Sequence, residues 1–349
     1  MNKLPYENIN LSKETYKLIS EASFALGELN MLLKSSKNID VFLNIFSLIE
    51  AKESSQTENI YSNLDTLLND EIKENKSRNS CKVLGNKIAI IDGFNILKDT
   101  HELSLDLINY IHHEIEKDAK SIRDIPGTVI KNTSTNEILH VPPQDYFEIK
   151  DLLDNLFDYI NKDDELDFIS KLAIIHYQFE SIHPYFDGNG RTGRVLCLLY
   201  LVNAKKLDYP ILLLSRTINK NLYDYYDMFS NMRNENPDFD FLVSYFAKVL
   251  LEASRHTIKA INELNLMMNE TREIILNIDI KIYFDNITNF IFKHNYLTNK
   301  DLCNELKISR NTASKILKTL VSLNVFSEKK VGKEIIYRNL KIEDYIYIF

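Results

Sequence analysis

Apolar residues recur at three- and four-residue spacing along most of this chain, a periodicity that predicts helices. Ile19, Ala22 and Leu26 follow Ser12 and Thr15 and predict a first helix reaching about Leu33. Asp40 suits the N-cap of a second, with Phe42, Ile45, Phe46 and Ile49 on one face. That helix runs without a breaker into the polar stretch 50–60. After a turn suggested by Gly85 and Asn86, the stripe Ile91, Phe94, Leu97, Leu103, Leu107, Ile108 and Ile111 carries helix towards residue 120. The pattern changes at Ile125, Pro126 and Gly127. Residues 128–131 and 137–141 are short strand-like runs around a polar loop, which predicts a hairpin closed by Pro142 and Pro143. Helices are expected again from about Asp145 to Asn161 and from Asp164 to Ile182. Further helices are expected over 195–202, from Arg216 to Asp227, and from Phe239 to Thr257 with a continuation to Met268.

The last eighty residues follow a different plan. A helix over 281–294 precedes Thr298, which suits the cap of a helix over 299–306, and Ser309 suits the cap of another over 310–323. Val325–Ser327 and Ile335–Tyr337 form a candidate ribbon around Gly332. Two short helices and a two-stranded ribbon match a winged helix-turn-helix. Residues 299–340 hold nine Lys/Arg against four Asp/Glu in a chain of net charge −8, which fits either DNA or protein contact. The expected fold class is therefore mostly α: a helical core with a β-hairpin flap, then a C-terminal winged helix domain.

Composition narrows the class. Of 349 residues, 44% are hydrophobic and 26% charged, the values of an ordinary globular protein. Eight glycines and seven prolines favour long helices over a turn-rich β architecture. Cys81, Cys197 and Cys303 are widely separated and lack metal-type spacing, so they read as reduced thiols. No apolar run approaches the roughly 18 residues of a membrane span, and no signal-peptide core is present at the start. The expected location is cytoplasmic, without membrane contact.

Chemistry concentrates in His183-Pro184-Tyr185-Phe186-Asp187-Gly188-Asn189-Gly190-Arg191-Thr192-Gly193-Arg194. Pro184 disfavours helical geometry at His183, so a helix should end where the imidazole arrives. Gly188, Asn189 and Gly190 allow backbone N–H groups to converge, and a second helix starts at once with Arg191 and Arg194 one turn apart. Helix, nest-like loop and helix with two guanidinium groups suit a polyphosphate.

The twelve residues resemble the motif of the Fic family of nucleotidyl transferases, His-Pro-Phe-x-(Asp/Glu)-Gly-Asn-Gly-Arg-x-x-Arg, departing only in Tyr185. The approach His176 to Glu180 is similar to the family's as well. The resemblance implies transfer of AMP from ATP to a Tyr, Thr or Ser hydroxyl of a target protein. His183 would be the base and Asp187 the ligand of Mg²⁺, with Mn²⁺ as a substitute. Gly188, Asn189 and Gly190 would hold phosphate oxygens, with Thr192 and Gly193 in the same ATP-binding turn. Arg191 would take the β-phosphate and Arg194 the γ-phosphate.

Ser54, Glu58 and Asn59 fit the family's inhibitory motif, (Ser/Thr)-x-x-x-Glu-(Gly/Asn), which implies that Glu58 pairs with Arg194 and keeps the γ-phosphate out. The 128–141 hairpin matches the family's flap in position, with Ile138, Leu139 and His140 as target-binding residues. Tyr225 and Tyr226 resemble a pair near the adenine. The implied domains are an inhibitory helical segment 1–80, a Fic core 81–268 and a winged helix domain 269–349. Implied partners are a target protein, which includes the chain itself, a DNA or protein surface for the winged helix, and a second copy in a homodimer. Two other readings share these residues: removal of AMP from a modified protein, and a nucleotide-sensing transcriptional regulator.

Overall fold

The structure is a computed structural model describing residues 1–71, 75–118, 121–131, 135–162, 165–234, 236–276, 284–331 and 334–348. In chain order the helices begin with α1 (Lys13–Ser35), α2 (Ile39–Thr57), α3 (Leu64–Glu71), α4 (Arg78–Thr100) and α5 (Leu105–Ile115). Strands β1 (Ile130–Lys131) and β2 (Ile138–His140) follow, then α6 (Tyr146–Asn161), α7 (Phe168–Ile182), α8 (Asn189–Asn203), α9 (Leu214–Lys220), α10 (Leu222–Met232) and α11 (Phe239–Leu276). The chain continues with α12 (Phe284–Lys293), β3 (Tyr296–Thr298), α13 (Asn299–Leu306), α14 (Arg310–Ser322), β4 (Phe326–Val331), β5 (Glu334–Asn339) and α15 (Leu340–Ile348). The chain is mostly helical, as the periodicity predicts. Among the described residues, no helix is long and apolar enough to cross a membrane.

Packing divides the chain into two compact units. The first comprises Met1–Ser35, Phe46–Ser62 and Ser77–Thr257. Its centre is α7 and α8, where nearly every residue is buried; α7 packs on α6 and α8, and α4 packs on α5 and α8. Leu172, Ile175, Phe179 and Ile182 are wholly buried there, as are Leu196 and Leu199. Asp167 caps α7 through the N–H groups of Ile169 and Ser170, so this helix starts after, not at, the expected Asp164, which lies outside the described residues.

The expected turn at Gly85 and Asn86 is absent, because both residues sit inside α4. A Cβ at Gly85 would overlap the carbonyl oxygen of Glu114, so the glycine serves close approach of α4 to α5 instead. The helix expected from Arg216 to Asp227 is two helices, because Asn221 leaves helical geometry at φ −124°. β1 and β2 form the expected antiparallel hairpin, with Ile130 opposite His140 and Lys131 opposite Ile138. Residues 132–134 of its loop lie outside the described residues.

The second unit comprises Ser36–Ile45, Asn63–Lys76 and Ile258–Phe349. Thr298 caps α13 in a reciprocal capping box with Asp301, and Ser309 caps α14 through the Thr312 N–H. The expected two-stranded ribbon is longer and joined by a third strand, in the order β3-β5-β4. Three residues are too few to advertise a period of two; Leu297 joins the sheet by pairing with Tyr337, and both are buried. The turn expected at Gly332, and the start of the helix expected from 281, lie outside the described residues.

Candidate active site

The turn between α7 and α8 forms as its residues dictate. His183 ends α7 in the left-handed region, at φ 49°, with its N–H donating to the Phe179 carbonyl at 3.0 Å. Gly188 opens α8 at φ 78°, a conformation that favours glycine. Asn189 closes the turn on itself: its Oδ1 accepts from the Tyr185 N–H at 2.9 Å and its Nδ2 donates to the Tyr185 carbonyl at 2.7 Å. That amide therefore shapes the loop rather than standing free for a phosphate. Thr192 Oγ1 likewise donates back to the Gly188 carbonyl at 2.8 Å. Tyr185 is buried, stacks on the His112 ring at 3.6 Å and donates its hydroxyl to Asn109 Oδ1 at 2.8 Å. The extra oxygen relative to phenylalanine thus has a partner.

Arg123 fastens the same turn from outside the motif. It is buried, and donates to the carbonyls of His183 (2.8 Å), Ile182 (3.2 Å) and Pro143. His140 of the hairpin bonds through Nε2 with the Ser181 carbonyl at 2.8 Å, anchoring β2 to the last turn of α7. Ile138 and Leu139 remain exposed, at 54% and 39%. Burial, above all, pushes His183 down to about 4; Arg123 and His140 act in the same direction, against the Glu180 carbonyl and Glu58. The imidazole is neutral at pH 7 and able to accept a proton.

The two arginines of α8 are buried and occupied. Arg191 Nε donates to Glu58 Oε2 at 2.7 Å, and its Nη2 donates to Glu116 Oε1 at 2.5 Å. Arg194 Nη2 donates to Glu58 Oε1 at 3.1 Å and to the Ser54 carbonyl at 2.8 Å, while its Nε donates to Ser54 Oγ at 2.9 Å. Burial alone would weaken both charges, but Glu58 raises each above its ordinary value, seconded by Glu116 at Arg191. Asn59 stands just beyond α2 at φ 60°, a left-handed cap that turns the chain and leaves Glu58 facing α8. The Ser54, Glu58 and Asn59 set is thus one device, and it engages both arginines rather than Arg194 alone.

Asp187 is more than half exposed; its Oδ1 accepts from the Gly188 N–H and its Oδ2 from Lys82 Nζ, each at 2.8 Å. Burial would raise its pKa, but the bond and charge of Lys82, then Arg191 and the Gly188 N–H, hold it below the usual carboxylate range. No three His, Cys, Asp or Glu residues gather into a metal-binding group among the described residues. One exposed, ionised carboxylate still fits Mg²⁺, which is commonly held by one or two carboxylates and substrate phosphates.

Behind the arginines, Glu180 lies buried, and burial pushes it up to about 7 against the pull of Arg194. Gly193 leaves the room it takes, since a Cβ there would overlap Glu180 Oε1. His176 joins Tyr225 Oη at 2.8 Å through Nε2 and Cys197 Sγ at 3.2 Å through Nδ1. The tyrosine pair is therefore divided: Tyr225 belongs to the core, and Tyr226 is half exposed. Lys82, Glu116 and Arg123 escaped the sequence reading, because none belongs to a local motif.

Fold and turn together define a helical protein with two buried arginines at a glycine-containing turn, and known proteins narrow this further. The descriptions of the Fic/DOC family and of the Fic/DOC family N-terminal region match residues 102–201 and 16–95. That of the protein adenylyltransferase SoFic-like C-terminal domain matches residues 267–342. The chain belongs to the Fic/DOC family. It is similar to protein adenylyltransferase fic-1 of Caenorhabditis briggsae, 29% identical over 109 residues, 31% of this chain and 21% of that protein. It is also similar to the probable protein adenylyltransferase aq_aa38 of Aquifex aeolicus, 38% identical over 61 residues, 18% of this chain and 19% of that protein. The matched stretch spans about a fifth of the length of these relatives. Among solved structures, a Fic family protein from Desulfovibrio desulfuricans G20 matches with a TM-score of 0.58 at 17% identity, over 96% of this chain and 98% of that one. Fic-1 of Caenorhabditis elegans matches with a TM-score of 0.54 at 21% identity, over 70% of this chain and 71% of that one. These likenesses concern the fold.

Proposed function

We propose that the chain is a protein adenylyltransferase that rests in a self-inhibited state. The observation carrying this reading is Glu58 bound by both Arg191 and Arg194 across the mouth of a turn that holds a neutral, half-buried His183. The relatives named as protein adenylyltransferases supply the reaction class.

With ATP bound, the backbone of Gly188 and Gly190 at the start of α8 would receive phosphate oxygens. Arg191 and Arg194 would pair with the β- and γ-phosphates, as planar guanidinium groups suit phosphate. Asp187 would hold Mg²⁺ or Mn²⁺, which supplies positive charge to the phosphates. The target hydroxyl attacks the α-phosphorus while His183 takes its proton; the new oxygen–phosphorus bond replaces the bond to pyrophosphate, which leaves. Ile138 and Leu139, exposed on the short strand β2, offer an edge to an extended target segment. His140 anchors that strand, and the half-exposed Tyr226 is the better of the two tyrosines for an adenine. Residues 1–80, 81–268 and 269–349 then divide the work into inhibition, transfer and a winged helix for DNA or protein contact.

Radiolabel transfer from α-labelled ATP tests the reading. Glu58→Gly should label itself or a target more than the unaltered chain does, and adding His183→Ala should abolish labelling. Equal labelling with and without Glu58 rejects self-inhibition. Release of AMP from a modified protein, with no labelling from ATP, would instead assign the reverse reaction to the same site. Full retention of every function by His183→Ala would favour a nucleotide-sensing regulator.

A further inference from the structure

Glu58 is not the only carboxylate lying against the start of α8. Glu116 follows the last turn of α5, with its N–H donating to the His112 carbonyl at 2.8 Å. Its Oε1 lies 2.5 Å from Arg191 Nη2 and 2.6 Å from Lys82 Nζ. Lys82 in turn reaches Asp187 at 2.8 Å. The side chains of Glu116 and Lys82 are only 12% and 13% exposed, so these charges face each other with little water between them.

Each of the two glutamates lies close to a glycine of the turn. A Cβ at Gly190 would stand 2.5 Å from Glu58 Oε1, and a Cβ at Gly188 would stand 3.0 Å from Glu116 Cγ. The Glu58 carboxylate thus occupies the space that a missing side chain opens at Gly190, and the Glu116 methylene lies in tight contact at Gly188, beside a helix N-terminus where anions are favoured. Together they engage Nε and one N–H of Nη2 of Arg191, while its buried Nη1 has no hydrogen-bond partner among the described residues. Glu116 also shares one oxygen between two cations, as a bridging phosphate oxygen would. Lys82 meanwhile pairs with one oxygen of Asp187, the residue that fits a divalent cation.

We infer that Glu116, held by Lys82, is a second inhibitory carboxylate, which occupies the β-phosphate partner Arg191 and is displaced when a nucleoside triphosphate binds. The inference rests on reading the turn as a nucleotide site. It assigns the release of the resting state to two separate acids. Displacing Glu58 removes the carboxylate paired with Arg194, which keeps its bonds to Ser54. It frees Arg191 only in part, since the Lys82–Glu116 pair keeps its hold there.

Calorimetric binding of α,β-methylene-ATP to the full chain, without divalent metal, tests the inference. Binding by Glu58→Gly is the reference. Adding Glu116→Gln, or Glu116→Ala, should tighten binding by about five- to tenfold, a typical coupling between two sites. Glu116→Asp, which keeps the charge but retracts it by one methylene, should fall between. Unchanged or weaker binding in both the Gln and Ala double variants, beside measurable binding by Glu58→Gly, overturns the second carboxylate and leaves the proposed function standing. Absence of binding in every variant overturns both.

Discussion

Charge is handled in opposite ways at the start of α8 and on α14. Arg191 and Arg194 are buried, and carboxylates from distant parts of the chain approach them. Arg310, Lys315 and Lys318 of α14 project into solvent, and that helix carries no acidic residue. A buried charge stripped of its partner is costly, so a ligand able to replace that partner gains the whole difference. An exposed charge is already solvated and offers only attraction that salt screens. One region therefore holds its charges on carboxylates inside the fold, and the other presents them at the surface.

The largest effect expected from this contrast is catalytic. Removing His183 from the Glu58→Gly chain should lower label transfer by roughly 10²- to 10⁴-fold, the usual contribution of a general base. A His183→Ala chain that still labels would detach the motif from the chemistry. Next in size is Gly85→Ala. The added Cβ meets backbone rather than a yielding side chain, so α4 and α5 must separate. A loss of about 1–3 kcal/mol in urea unfolding is expected, as for other overpacked positions. Unchanged stability would show that the two helices tolerate a wider spacing.

Acid should distinguish the two regions as well. Burial, then the charge of Arg194, pushes His176 down to about 3, and burial pushes His183 down to about 4. Once unfolded, both take up protons near pH 6.5, so the unfolded chain gains protons that the folded one refuses. The stability they allow is present above pH 6.5 and is lost as the pH falls towards 4. Urea midpoints measured from pH 7 to pH 4.5 should decline, and His176→Phe should flatten the decline. A midpoint independent of pH over that range would contradict the burial of these rings.

The smallest effect belongs to α14. Lys315→Glu with Lys318→Glu should change unfolding stability by no more than about 0.5 kcal/mol, as expected of surface positions. It should leave labelling by Glu58→Gly unchanged. A change in labelling would mean that the exposed charges of α14 bear on transfer, against the contrast drawn here.

Local features of the sequence were enough to find most helices and the chemical turn. Periodicity marked α1, α2, α6 and α7, and the caps Thr298 and Ser309 stand where their residue types placed them, whereas Asp40 lies in the first turn of α2 and does not cap it. Pro184 and the glycines announced the break between α7 and α8. These signals act over a few residues, through backbone sterics and short hydrogen bonds, so a sequence displays them directly. Resemblance then singled out Glu58 as a rival for Arg194.

Tertiary structure alone decided the rest. Glu58 reaches Arg191 across 133 positions, Lys82 reaches Asp187 across 105, and Glu116 reaches Arg191 across 75. No local pattern encodes such meetings, because they depend on which helices pack and how closely. Gly85 shows why: read along the chain it suggests a turn, yet in the fold it is the gap that lets α4 approach α5. Tyr225 and Tyr226 are neighbours in sequence, but packing takes one into the core beside His176 and leaves the other half in solvent. The turn between α7 and α8 was legible in the sequence; the second acid lying against it became visible only when the helices were brought together.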